Sequence, residues 1–220
     1  MHGDSASGAG TSPQWRGHRG WQAPSARREV AEVMTGYVRA SEIAKLPVVT
    51  LGGEDVAQVK DIVFDAAGGS VRCFTLSGRG LFSGPLKRDL LWNKVHALGP
   101  DAVMIRDENT LADDDEAAKD AKASGGGNVI GSRVMTEGGT DLGKIIDVII
   151  EAGRNPAVAG YEVESATQGR QHILLPVIEP VAISGEMVIV PDATSEFTAG
   201  DLAGFPEAAR GLRARLEQEM

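Results

Sequence analysis

The chain has 220 residues, a formal net charge of -9, 42% apolar and 5% aromatic residues, and one cysteine. This length fits one or two domains, the acidity argues against a sequence-independent grip on nucleic-acid phosphates or an anionic lipid surface, and the lone Cys73 excludes an internal disulfide and fits a reducing compartment. No run of about 18 uncharged apolar residues exists to form a transmembrane helix, and Met1 to Ala26 has no apolar core of the secretory kind, so a cytoplasmic protein is expected.

Residues 1–36 are rich in Gly, Ser and Ala with scattered Arg16, Arg19, Arg27 and Arg28, and they predict a disordered arm. Trp15 and Trp21 are its large apolar groups, and a short helix is predicted near Ser25, with Val30, Val33 and Met34 on one face. A first module is expected over 37–107. Ser41-Glu42-Ile43-Ala44 predicts a brief helical turn capped by Ser41 and stopped by Pro47. A strand over Val48–Leu51 then reverses at Gly52-Gly53, a glycine pair suited to a two-residue hairpin turn, into a partner strand over Val56–Asp65. In that partner strand Val59, Asp61 and Val63 fall on one side and Lys60, Ile62 and Phe64 on the other, an imperfect alternation. Gly68-Gly69 leads to Val71–Leu76, a looser stretch over Gly78–Pro85, a strand ending at Leu90-Leu91, a turn at Trp92–Lys94, and last strands around Val95–Leu98 and Ala102–Ile105.

Residues 108–127 begin acidic and end in Ser124-Gly125-Gly126-Gly127, which predicts a flexible charged linker. The pattern then returns. Val48 to Asp65 reappears as Val134 to Glu151, about 86 residues on, with the glycine pairs, the following acid and a central Asp in register. Over 128–196 the expected strands are Val134–Thr136, Leu142–Glu151, Val158–Val163, Gln171–Leu175, Val181–Ile183 and Val188–Val190. Residues 197–220 close with an amphipathic helix from about Pro206, carrying Leu212 and Leu216 at helical spacing.

Six short strands with frequent turns and almost no helix read as a small β-barrel, so the fold class is mainly β with two barrels in tandem. Modules of this size are marginal alone, so a shared interface between the copies is expected, and homodimerisation is plausible. No chemistry assembles along the chain. His2, His18, His96 and His172 are dispersed without metal-ligand spacing, Gly78-Arg79-Gly80 lacks what a phosphate loop requires, no serine lies in a nucleophile elbow, and Cys73 has no neighbouring base and serves as an apolar filler. No catalytic residue, cofactor or metal is therefore expected. The carboxylates Asp61 and Asp147, equivalent in the two copies, are candidates for a paired site or for ordinary strand carboxylates. Leu81, Phe82 and Trp92 are candidate partner contacts, with packing under the loops as the plainer role.

Gly53 to Asp65 with Val71 to Leu76, Leu91-Trp92 and Leu98-Gly99-Pro100-Asp101-Ala102-Val103-Met104-Ile105 resembles the PRC-barrel domain, and Gly138 to Glu151 with Leu175-Pro176 and Gly185 to Asp192 resembles it again. That domain forms the cytoplasmic part of the photosynthetic reaction-centre H subunit and the C-terminal half of ribosome maturation factors. The membrane helix of the former and the different N-terminal domain of the latter have no counterpart here. The resemblance implies a bacterial domain used for docking onto proteins, with no reaction of its own. The expected function is a non-enzymatic adaptor for a protein partner. The alternatives are a ribosome-assembly factor, which would meet nucleic acid only through a ribosomal complex, and an accessory protein of a photosynthetic or membrane complex.

Overall fold

The computed structural model describes residues 36–64, 69–78, 85–113, 129–153, 155–165, 169, 171–178, 182–184 and 186–219. The arm with Trp15 and Trp21, the helix near Ser25, the loop of Leu81 and Phe82, and most of the predicted linker lie outside these residues. The described residues all belong to one compact unit, Ala31–Met220.

The first part of the chain forms β1 (Gly36–Arg39), α1 (Ala40–Ile43), β2 (Pro47–Thr50), β3 (Asp55–Phe64), β4 (Val71–Ser77), β5 (Pro85–Leu91), a 3-10 turn at Trp92–Lys94, β6 (Val95–Leu98), β7 (Val103–Ile105), a 3-10 turn at Glu108–Thr110 and β8 (Ala112–Asp113). The second part forms β9 (Arg133–Thr136), β10 (Asp141–Ala152), β11 (Ala157–Ser165), β12 (His172–Pro176), β13 (Ala182–Ile183), β14 (Met187–Val190), a 3-10 turn at Asp192–Glu196 and α2 (Phe205–Glu219). Two seven-stranded sheets result, in the order β6-β7-β2-β3-β4-β5-β8 and β12-β11-β10-β9-β14-β13, with β1 added to β10. The parallel pair β2 and β7 inside an otherwise antiparallel sheet recurs as β9 and β14. The mainly β architecture of two tandem barrels is as expected. Residues 108–113, expected to open the linker, instead carry a turn and β8, which pairs with β5 of the first copy.

Each glycine pair makes a turn one residue longer than the expected two-residue hairpin and does so in the same way twice. Only the second glycine takes positive φ, 87° at Gly53 and 86° at Gly139, and the closing bond runs from the Thr50 N–H to the Glu54 oxygen and from Thr136 to Thr140. Three residues thus form each loop. The buried Thr50 and Thr136 hydroxyls seal it by accepting the N–H of Glu54 (3.1 Å) and Thr140 (3.2 Å). The imperfect alternation of β3 also has a cause. Register shifts fall between Val59 and Asp61 and between Val63 and Phe64, and again between Ile145 and Asp147 and between Ile149 and Ile150. A bulge resets which face a side chain takes, so a strict period of two cannot run through it.

One apolar core spans both copies, from Val48, Phe74 and Leu90 to Val134, Tyr161 and Val188. The copies also join through backbone. Ser70 bridges Ala157, with the Val71 N–H donating to Pro156 and the Val158 N–H donating to Gly69. The shared interface expected from module size is present. Its larger part is β1, which lies before the first barrel in sequence yet pairs antiparallel with β10 of the second, Tyr37 opposite Glu151 and Arg39 opposite Ile149. The chain thus enters through the other copy's sheet.

The helix α2 covers the outer face of the second copy, burying Phe205, Ala209 and Leu212, with Phe205 and Ala209 packed on Ile149 and Leu174. Phe205 also meets Tyr37 of β1 edge-on, ring centroids 4.9 Å apart at 73°. Gly160 makes this approach feasible, because a Cβ there would stand 2.8 Å from the Phe205 ring and 2.2 Å from the Leu175 oxygen. Leu216, expected as an apolar anchor, is only partly buried.

Candidate interaction site

Asp61 and Asp147 hold the same place on β3 and β10 and meet opposite surroundings. Asp147 is 6% exposed, and its oxygens accept the Ser41 N–H at 3.2 Å, the Ser41 hydroxyl and the Val148 N–H at 2.8 Å. A carboxylate taken out of water is costly unless such donors replace its hydration. Ser41 is therefore not a helix cap: Arg39 occupies the N-cap position of α1 with no side-chain cap bond, and the Ser41 hydroxyl is turned onto the second copy. Asp61 has a side chain 67% exposed, with the ammonium of the also exposed Lys60 at 3.7 Å. The two carboxylates do not form one site.

Beside Ser41 a second polar contact ties β1 down. The Arg39 Nε–H donates to Glu162 at 2.5 Å and its guanidinium also reaches Glu42 at 3.4 Å, while His172 Nδ1 lies 3.3 Å from the other Glu162 oxygen. The hydrogen bond to Glu162 is the largest cause holding the Arg39 guanidinium above its ordinary pKa. At the equivalent place in the first copy stands Thr75, opposite Asp61 on β4 as Glu162 is opposite Asp147 on β11. Thr75 accepts the Asp61 N–H at 3.1 Å.

The segment Gly36–Ile43 thus works as a strap of backbone ladder, hydroxyl and guanidinium along β10. In the first copy β3 pairs with β2 from Gln58 back to Asp55 and with β4 along its length, and among the described residues no strand pairs with Val63 and Phe64 as β1 pairs with Ile149 and Ile150. The apolar group on this outer face is small, Val63 and Cys73 with partly buried Leu91.

Family comparison matches the chain to the PRC-barrel domain twice, over residues 36–109 and 123–196. The chain belongs to the PRC-barrel domain family. Both matches together cover more than half of it, and the two-copy reading of the sequence stands. No curated protein matches the chain. PRC-barrel domains are in general protein-interaction modules, which directs attention to surfaces that differ between these two copies.

Trp92 is one such difference. It opens the 3-10 turn after β5 and packs edge-on against Phe74, centroids 5.6 Å apart at 76°, so it belongs to the packing beneath the loop. Leu81 and Phe82 lie outside the described residues. A cleft of about 480 Å³ beside Trp92 is lined by Asn93, Lys94, His96, Arg106, Asp107 and Thr110, where the second copy's sequence has Glu179 for Lys94 and Pro191 for Arg106. Among the described residues no helix is long and apolar enough to cross a membrane. Sequence reasoning missed the strap. Its trace was the unequal flanks of the repeat, Ser41 standing where the second copy has Gly127.

Proposed function

We propose that the chain is a non-enzymatic cytoplasmic adaptor whose two PRC-barrel modules act as one scaffold for a protein partner. The observation that carries this reading is the asymmetry of two otherwise equivalent copies. The second is sealed by β1, α1 and α2, whereas the first keeps the edge of β3 unsealed among the described residues. Divergence of this kind suits a division of labour in which one copy stabilises and the other binds.

A ribosome-assembly role is the second reading, and the cleft with Lys94 and Arg106 is what favours it. Clustered cations of this sort suit phosphate contact. One experiment separates the two: cross-linking in cells, purification of the tagged chain, and mass spectrometry with and without ribonuclease. A recurring non-ribosomal protein that survives ribonuclease is the result expected of an adaptor. Small-subunit ribosomal proteins lost with ribonuclease would replace that reading with the second.

A further inference from the structure

From the cleft beside Trp92 we infer that the first copy docks an acidic segment of a partner protein, with carboxylates on Lys94 and Arg106 and an apolar residue on Leu51. The inference rests on the adaptor reading and names its surface and its partner's chemistry. The cleft, of about 480 Å³, is in the size range of pockets that take a ligand. Its polar wall comes from two 3-10 turns and the strand ends beside them: Asn93 and Lys94 from the first turn, His96 from β6, Arg106 after β7, and Asn109 and Thr110 from the second turn. Most of these residues are exposed, which suits a chain segment laid across the cleft rather than a small ion enclosed by it.

Strand register places the groups side by side. Thr50 at the end of β2 and Val95 at the start of β6 both stand opposite Ile105, on either side of β7, and the Leu51 N–H donates to the Ile105 oxygen at 2.9 Å. Arg106 therefore leaves β7 between Leu51 on one side and Lys94 on the other. Leu51, at 54%, is the most exposed large apolar residue among those described. Among the described residues neither the Lys94 ammonium nor the Arg106 guanidinium has an ion pair or hydrogen bond within the chain. Asp107 is the acid on the cleft wall, and its carboxylate is engaged by the Thr110 N–H, while the Thr110 hydroxyl accepts the Asp107 N–H at 3.4 Å.

The second copy repeats the strands and not the chemistry. At the equivalent places its sequence has Ile178 for Asn93, Glu179 for Lys94, Val181 for His96 and Pro191 for Arg106, and Glu137 stands for Leu51. Both cations and the exposed leucine are thus peculiar to the first copy, and charge complementarity calls for carboxylates opposite them. RNA fits this surface poorly. It brings a charge on every nucleotide against two cations, and the net charge of -9 repels it more than it repels a short acidic segment. Bases also call for rings to stack on, and among the described residues no tryptophan, tyrosine or phenylalanine is exposed, Trp92 being packed on Phe74.

The test uses the isotopically labelled full chain and three probes: a short synthetic peptide of glutamates around a central leucine, its glutamine counterpart, and single-stranded oligouridylate. With the glutamate peptide, saturable amide shifts are expected at Leu51, Asn93–His96 and Arg106–Thr110, weakened at least about tenfold by Lys94→Glu/Arg106→Glu, since two attractive contacts become repulsive. The glutamine peptide should not bind there. Leu51→Ser leaves the cations in place and should also weaken the glutamate peptide, so the outcome does not hang on one variant. No shifts, shifts confined to other surfaces, or equal binding of the glutamine peptide would each overturn the inference. Tighter binding of oligouridylate at the cleft would give it to RNA, and movement of the Asn93–His96 amides on Asp114→Asn/Asp115→Asn in the free chain would give it to the chain's own acidic stretch; either result overturns it too. A partner recovered by cross-linking equally well with Lys94→Glu/Arg106→Glu would sink the cleft site and leave the adaptor reading standing; recovery of no protein partner would sink the adaptor reading itself, and this inference with it.

Discussion

Replacing Ser41 by Ala removes the hydroxyl that shields a buried carboxylate while leaving that carboxylate in place. A loss of about 1.5–3 kcal/mol is expected, because the cost is the unmet demand of Asp147 as well as the bond itself. Asp61→Asn, at the equivalent but exposed position, should change stability by less than about 0.5 kcal/mol. Urea denaturation of the two variants measures the contrast, and equal effects would show that the strap does not matter to Asp147. Tyr161 gives the molecule a limit at high pH. Burial pushes its phenol up to about 12, above the roughly 10 of an unfolded tyrosine, so the folded state favours the neutral ring. This contribution is complete below about pH 10 and is lost as the pH rises through about 12. Denaturation midpoints should therefore fall between those values, and Tyr161→Phe should flatten the fall. The identity of such residues was legible in the sequence, since the repeat put Asp61 and Asp147 in register. Their surroundings were not, because what shields Asp147 is 106 residues away from it in the chain.

Strands and turns followed local sequence closely. β2, β3 and β4 lie within a residue or two of the expected Val48–Leu51, Val56–Asp65 and Val71–Leu76, because glycine punctuates the chain and β-branched residues fill the runs between. The bulges left a trace as the broken alternation around Asp61, but a broken pattern does not say which residue is extra. The docking of α2 was out of reach. Its amphipathic character was plain from Leu212 and Leu216, whereas the receiving face depends on Gly160 leaving room for Phe205. Gly160→Ala should push the ring away from β11, lower stability by about 1–3 kcal/mol, and speed hydrogen exchange in α2 well beyond that in β4. Unchanged exchange in α2 would mean that the helix is held by other contacts.

At the scale of the whole molecule, the two copies share one core and cross over through β1. They are expected to unfold together. A single urea transition, coincident by tryptophan fluorescence and far-UV circular dichroism, checks this, and two separated transitions would show the copies to be independent. A fragment of residues 128–220 keeps α2 but lacks the strap, leaving Asp147 without Ser41. It should be less stable than the same residues within the full chain, as hydrogen exchange at Val148–Ile150 would report.

By itself the sequence determined the repeat, the succession of strands along each copy and the tandem barrel class, because each depends on neighbours in the chain or on a pattern that a duplication writes twice. Only the tertiary structure decided that β1 belongs to the other copy's sheet, that Ser41 serves Asp147 instead of capping its own helix, and that two equivalent carboxylates have different fates. The physical reason is the same in all three. Strand edges and carboxylates specify that they need hydrogen-bond partners, but which segment supplies them is settled by distances that exist only after the chain has folded.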